Sequence, residues 1–291
     1  MKWEIEKQYD GILLRTYLEE VVTLSTRLIK RAKRGKILVN GSLETVRYVL
    51  CQGDVVEIIL PVEKSETMVA EKIPLQILYE DDDIIVLCKE AGMPTIPSKI
   101  HPTNTIANGL LYYYKQQGID ATVHIVTRLD KDTSGLVLVA KHAYSHSQLA
   151  ILQRKNAISR TYVAVVSGRL KQVSGSINAP IGRKETSLME RVVTEKGQYA
   201  VTHFELMKQF DSYTFVKAQL ETGRTHQIRV HFSHIGHPLL GDDLYGGNRD
   251  LIKRQALHCD EISFIHPTTK EEMQFKIDFP NDIGKLYEKS V

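Results

Sequence analysis

Apolar positions recur along this chain of 291 residues at two spacings, and the change from one to the other marks out its elements. After Asp10-Gly11, residues Leu13, Leu14, Tyr17, Leu18, Val21 and Val22 fall at helical spacing. Ser25 or Thr26 is placed to cap a second helix, which Gly35 would end in the left-handed conformation. Lys36–Val39 then reads as a strand closing at Asn40-Gly41, a strong hairpin-turn signal. Tyr48–Cys51 and Val55–Leu60 supply further strands around the Gly53-Asp54 turn. Periodicity fades from Pro61 to Pro74, so a small α+β domain is expected over 1–62 and a linker over 63–74. A larger domain over 75–291 opens with a hairpin, Ile77–Tyr79 and Ile84–Cys88. Thr105–Lys115 carries Ile106, Leu110, Leu111 and Tyr114 on one helical stripe. Tyr144–Lys155 repeats that spacing with Leu149 and Leu152 inward. Ser159–Val166, Gln198–Phe210 and Tyr213–Leu220 alternate as strands. Beyond the turn at Gly223, Thr225 is expected to cap a helix running to about Ile235.

Two segments break the apolar pattern with concentrated charge. Strands Val123–Val126 and Leu136–Ala140 flank a polar centre holding Arg128, Asp130, Lys131 and Asp132, with Gly135 read as its closing turn residue. A loop seated between buried strands suits groups that must be both accessible and aimed. A solvated hairpin tip is the plainer account of the same charges. The second segment is the helix after Ser25, where Arg27, Lys30, Arg31, Lys33, Arg34 and Lys36 occur without an acid among them. Their mutual repulsion weakens an isolated helix, and an external polyanion would relieve it.

Composition narrows the setting. The hydrophobic share of 42% and charged share of 25% are those of an ordinary soluble protein, and a net charge of +3 is only mildly basic. Cys51, Cys88 and Cys259 are far apart and form no Cys-x-x-Cys pair, which argues against a disulfide framework or thiolate zinc site. Met1–Glu6 has no apolar signal core, and no run approaches the length of a membrane span. A cytoplasmic protein without membrane attachment is expected, as a monomer. His226, His231, His234 and His237 cluster in sequence, but their spacing does not suit a helical metal motif, so no metal is assigned. No glycine-rich phosphate loop or dinucleotide fingerprint appears, and no cofactor is expected.

Arg128-Leu129-Asp130-Lys131-Asp132-Thr133-Ser134-Gly135-Leu136 resembles the signature loop of the RluA/RluD-type RNA pseudouridine synthases, with Thr127 where members often carry histidine. Ser159-Arg160-Thr161-Tyr162-Val163-Ala164 resembles the second motif of that family. Thr222-Gly223-Arg224-Thr225-His226-Gln227-Ile228-Arg229 resembles a third. Together with His237–Gly246, Arg254–Cys259 and Phe264–Pro267, the resemblance spans about Leu75 to Phe279. It implies the pseudouridine-synthase fold, an α+β domain with a mixed, mostly antiparallel central sheet. It also implies Asp130 as the catalytic residue, Arg229 as its ion-pair partner and Tyr162 against the uracil. Arg128 would help to fill the stack that a flipped base vacates. The basic helix, Val-Asn-Gly turn and Gly-Asp before an alternating strand resemble an S-four-type RNA-binding domain. That likeness nominates Arg27, Lys30, Arg31, Lys33 and Arg34 for RNA phosphates.

Isomerising uridine requires cleaving the ribose–uracil bond, turning the base, rejoining it through C5 and removing the C5 proton. One carboxylate could attack the sugar carbon or abstract a sugar proton to give a glycal, and both routes remain open. The expected substrate is structured RNA, ribosomal large-subunit RNA being common for the family. A catalytically silent RNA-binding protein is the alternative, with the presence of Asp130, Tyr162 and Arg229 against it. A glycosidase would need a second carboxylate that the sequence does not identify.

Overall fold

The computed structural model describes residues 1–61, 63, 68–187 and 189–288. Residues 62 and 64–67, where the linker was expected to begin, lie outside the described residues, as do 188 and 289–291. Strands β1 (Lys2–Glu4), β2 (Lys36–Val39), β3 (Ser42–Leu43) and β4 (Val55–Ile59) form one antiparallel sheet in the order β1-β4-β2-β3. The β2–β3 connection is the expected two-residue turn, with Asn40 and Gly41 both at positive φ. Helices α1 (Leu14–Thr16), which continues as a π-helical turn Tyr17–Val21, and α2 (Thr26–Ala32) pack Leu14, Leu18, Leu28 and Ile29 onto that sheet. Ser25 caps α2 by accepting from the Leu28 N–H at 3.2 Å.

Two expectations for this part are corrected. Gly35 does not end α2 in the left-handed region; the helix stops at Ala32. Gly35 is instead demanded by crowding, since a Cβ there would lie 2.0 Å from the Ile59 carbonyl oxygen. Tyr48–Cys51 is not a strand, and only a single bridge joins Val49 to Leu13. The second half of the expected linker is held in place. Asn108 donates to the Val69 carbonyl at 2.7 Å, and the Glu71 N–H donates to the Asn108 carbonyl at 3.1 Å.

The second sheet contains ten strands among the described residues. They are β5 (Gln76–Glu80), β6 (Ile84–Lys89), β7 (His124–Ile125), β8 (Ser134–Ala140), β9 (Ser159–Ser167), β10 (Ser174–Asn178), β13 (Val201–Gln209), β14 (Tyr213–Leu220), β15 (Leu257–Ile265) and β16 (Glu272–Lys276). A short ribbon, β11 (Ile181–Arg183) with β12 (Arg191–Val193), stands apart from it. The main order is β10-β13-β14-β9-β15-β8-β6-β5, with β16 added beside β15 and β7 beside β8. Its pairs are antiparallel except β15 with β8, so the expected mixed, mostly antiparallel α+β sheet is what forms. Helices α3 (Ile106–Gln116) and α4 (Ala143–Arg154) contribute Ile106, Leu110, Tyr114 and Leu149 to its core. Thr105 and Asn108 cap α3 reciprocally. Helices α5 (Gln227–His234) and α6 (Asn281–Glu288) complete the described residues. No helix among these residues is long and apolar enough to cross a membrane.

Helix α4 also meets the N-terminal sheet's core. Tyr144 is buried in that core with Trp3 edge-on at 6.0 Å between ring centroids. Gln148 donates to the Val22 carbonyl at 3.2 Å and accepts from the Thr23 hydroxyl. Arg31 pairs with Glu63 and donates to the Pro61 carbonyl. Glu63 in turn contacts His124 Nε2 at 2.5 Å. Burial, followed by the nearby Arg31 charge, pushes the His124 pKa down to about 4, so this contact is a hydrogen bond from a neutral ring.

Candidate active site

The signature loop is fixed to the sheet at both ends and along its length. Thr127 Oγ1 accepts from the Leu138 N–H at 2.9 Å, and Leu129 is buried. Thr95 brackets Leu129 by accepting from its N–H at 3.1 Å and donating to its carbonyl at 2.8 Å. Lys89 is fully buried and donates to the carbonyls of Glu90, Met93 and Lys131 at 2.8, 2.8 and 2.9 Å. Arg254 reaches the Asp132 carbonyl from beyond, while Asp282 grips its other edge. Gly135, expected as a turn, lies inside β8 opposite Cys259. Its φ of 121° and the 2.2 Å from a built Cβ to the Cys259 carbonyl oxygen require glycine there.

Asp130 rides on this braced loop, about one-quarter exposed, at the floor of an open cleft of ≈ 810 Å³. Arg128, Tyr162, His226 and Arg229 line the same cleft, so the sequence-nominated residues of the large domain converge. Arg229 Nη1 donates to Asp130 Oδ2 at 3.2 Å. Its Nε and Nη2 bind the two oxygens of the buried Asp242 at 2.7 and 2.8 Å. Burial opposes the guanidinium charge, yet the bonds and charges of Asp242, and then Asp130, raise its pKa above the ordinary arginine value. Tyr245 covers the guanidinium with its ring at 4.9 Å.

Tyr162 sits on β9, 4% exposed, with its hydroxyl accepting from Arg160 Nη1 at 3.2 Å. Burial raises its pKa well above the usual phenol value, against a smaller opposing influence from Arg160. The phenol is therefore protonated at neutral pH, which suits contact with a base better than strong general-base action.

Helix α5 starts one residue later than expected. Its N-cap is His226 at φ 59°, not Thr225. Gln227 closes the preceding turn by accepting from the Thr222 hydroxyl and the Arg224 N–H and donating to the Val201 carbonyl. The histidines of this region face different partners. His231 contacts Thr202 and the Ala179 carbonyl, and His237 contacts the Ser167 carbonyl. Asp242 and Lys89 were not singled out from the sequence. Asp242 lies in His237–Gly246, a stretch that entered only as part of the family resemblance, and its lone signal is a carboxylate after a glycine.

Of the nominated basic residues in α2 and just after it, Arg27, Lys30, Lys33 and Arg34 are exposed, whereas Arg31 is turned inward to Glu63 and Pro61. Arg31, nominated with them for RNA phosphates, is thus engaged within the protein and partly exposed.

Residues 83–234 match the family described as RNA pseudouridylate synthase. The chain is 51% identical over 266 residues to the uncharacterized RNA pseudouridine synthase YjbO of Bacillus subtilis (strain 168), covering 90% of this chain and 94% of that one. It is 38% identical over 298 residues to ribosomal large subunit pseudouridine synthase D of Haemophilus influenzae, covering 97% and 87% respectively. The human RNA pseudouridylate synthase domain containing 1 has a similar fold, with a TM-score of 0.60 at 25% identity over 71% of this chain and 84% of that one. The chain belongs to the RNA pseudouridine synthase family. It is accordingly an isomerase that acts on uridine in RNA.

Proposed function

We propose that Asp130 is the catalytic carboxylate of this isomerisation and that the substrate is large-subunit ribosomal RNA. The observation that supports this most is the Asp242–Arg229–Asp130 chain at the cleft floor. It aims a buried cation at a partly exposed carboxylate, the arrangement expected where a carboxylate must react beside a bound base. In the reaction the N1–C1′ bond breaks, C5 bonds to C1′, the C5 proton leaves and N1 gains one. Asp130 either attacks C1′ or removes a ribose proton in the first half. Tyr162 packs against the turned uracil, and Arg128 fills the stack that the flipped nucleotide leaves, at an unstacking cost of ~a few kcal/mol.

Residues 1–62 form the RNA-binding domain in this reading, 63–74 connect it, and 75–291 carry the chemistry. Arg27, Lys30, Lys33 and Arg34 contact phosphates. The enzyme works as a monomer in the cytoplasm. The substrate assignment has support in relatives named for the ribosomal large subunit. A silent RNA-binding protein would have no use for a buried arginine clamp aimed at one carboxylate.

The test is Asp130→Asn, which keeps shape and removes the nucleophile or base. Tritium release from ribosomal RNA labelled at uridine C5 should disappear while RNA binding persists. Release at near wild-type rate would refute the role of Asp130. Pseudouridine mapping of ribosomal RNA from a strain lacking the protein checks the substrate.

A further inference from the structure

His226 is placed by unusual means. Its backbone adopts the left-handed conformation, uncommon for any residue but glycine, although histidine tolerates it better than most. That conformation turns the ring into the cleft, where the side chain is only 14% exposed. Nδ1 lies 2.8 Å from the Tyr245 hydroxyl, and Tyr245 accepts the Arg191 backbone N–H at 2.9 Å. With that acceptance made, the phenol's single hydrogen is free to go to Nδ1. The imidazole proton then resides on Nε2. Burial, ahead of the opposing pull of Asp130, lowers the ring's pKa, which agrees with one fixed neutral tautomer.

Nε2 lies 3.8 Å from Asp130 Oδ2, just outside hydrogen-bond range and on the oxygen that Arg229 already holds. Catalytic hydrogen bonds are often long in the free enzyme and tighten when substrate closes the site. We propose that His226 is a positioning residue of the reaction, which clamps Asp130 Oδ2 together with Arg229 and leaves Oδ1 as the reacting oxygen. The proposal rests on the assignment of Asp130 as the catalytic carboxylate. Two donors on one oxygen fix the rotation of the carboxylate, so its other oxygen meets the ribose without a search. Tyr245 serves both clamps, holding the tautomer of one and the face of the other.

The experiment is single-turnover tritium release at saturating enzyme, beside RNA binding, for His226→Ala, His226→Gln and Tyr245→Phe. Losing one hydrogen bond to a charged group should slow His226→Ala by roughly 10- to 100-fold, with RNA affinity within about twofold. Glutamine offers an N–H at a similar reach and should restore part of the rate, with RNA affinity unchanged. Tyr245→Phe should slow the wild type but add little in the His226→Ala background, because it acts partly through the same ring. A slow His226→Ala that glutamine does not improve would make the histidine merely structural and overturn the proposal. Asp130→Asn run alongside separates the two readings. An active Asp130→Asn removes the underlying assignment, whereas a dead Asp130→Asn beside a fully active His226→Ala removes only this inference.

Discussion

Asp242 gives both carboxylate oxygens to Arg229 and leaves that guanidinium one nitrogen for Asp130. The outer carboxylate is thus oriented by a residue that never meets the substrate. Asp242 is 1% exposed and Arg229 is 6% exposed, so neither charge is compensated by water if the other is removed.

Asp242→Ala should therefore destabilise the protein by about 3–5 kcal/mol, the range for stranding one partner of a buried pair. Activity should fall with it, since Arg229 is no longer aimed. Joint replacement, Asp242→Leu with Arg229→Met, removes both charges and should recover most of the stability while remaining inactive. Thermal unfolding and tritium release on the three proteins check this. A double variant as unstable as the single would mean that packing, and not the uncompensated charge, dominates there.

Lys89 carries the second expectation. Its three carbonyl acceptors match the three hydrogens of an ammonium, two of them at the turn after β6 and one on the signature loop. Lys89→Met leaves those acceptors without their donor and should cost about 2–3 kcal/mol. Burial pushes the lysine pKa down to about 7, with Asp132 and Asp130 opposing. The folded protein then releases this proton at lower pH than the unfolded chain, which holds it up to the ordinary lysine value. Unfolding takes up a proton between those two points, so stability rises with pH across that window. Urea unfolding from pH 7 to pH 10 should show that rise in the wild type and a flatter profile in Lys89→Met. Equal slopes in the two proteins would place the folded-state pKa near its ordinary value.

Much of this fold is written in local periodicity. The hairpin at Asn40-Gly41, the stripe of α3 and the paired strands β13 and β14 form where the apolar spacing places them. Elements that failed depend on distant partners. Gly35 and Gly135 read as punctuation, yet each is a glycine because another strand passes too close for a Cβ. Arg31 is indistinguishable from its neighbours in sequence, and only Pro61 and Glu63, placed beside α2, give it a partner. Asp130, Tyr162 and Arg229 were nominated through motifs that keep their local spacing, and the fold brings all three to one cleft. Asp242 comes from the turn after α5 and Lys89 from the end of β6, and their importance appears only when those segments meet Arg229 and the signature loop.

The inward turn of Arg31 sharpens what the N-terminal basic face should do. If Arg27, Lys30, Lys33 and Arg34 bind phosphates, their joint replacement by alanine should weaken RNA binding and flatten its salt dependence. Each lost contact lowers the log–log slope by roughly 0.7–0.9, toward the smaller figure for single strands. Alanine is the best helix former, so α2 should survive the change. Turnover at saturating RNA should alter much less, because these side chains hold substrate and transition state alike. Arg31→Ala should behave oppositely, with little change in salt slope but lower stability, since it abandons Glu63 and the Pro61 carbonyl. Filter binding across a salt series, paired with thermal unfolding, reads both variants. An unchanged slope in the quadruple variant with its fold intact would remove this face from RNA binding. A slope change in Arg31→Ala without loss of stability would return that residue to the phosphate ligands.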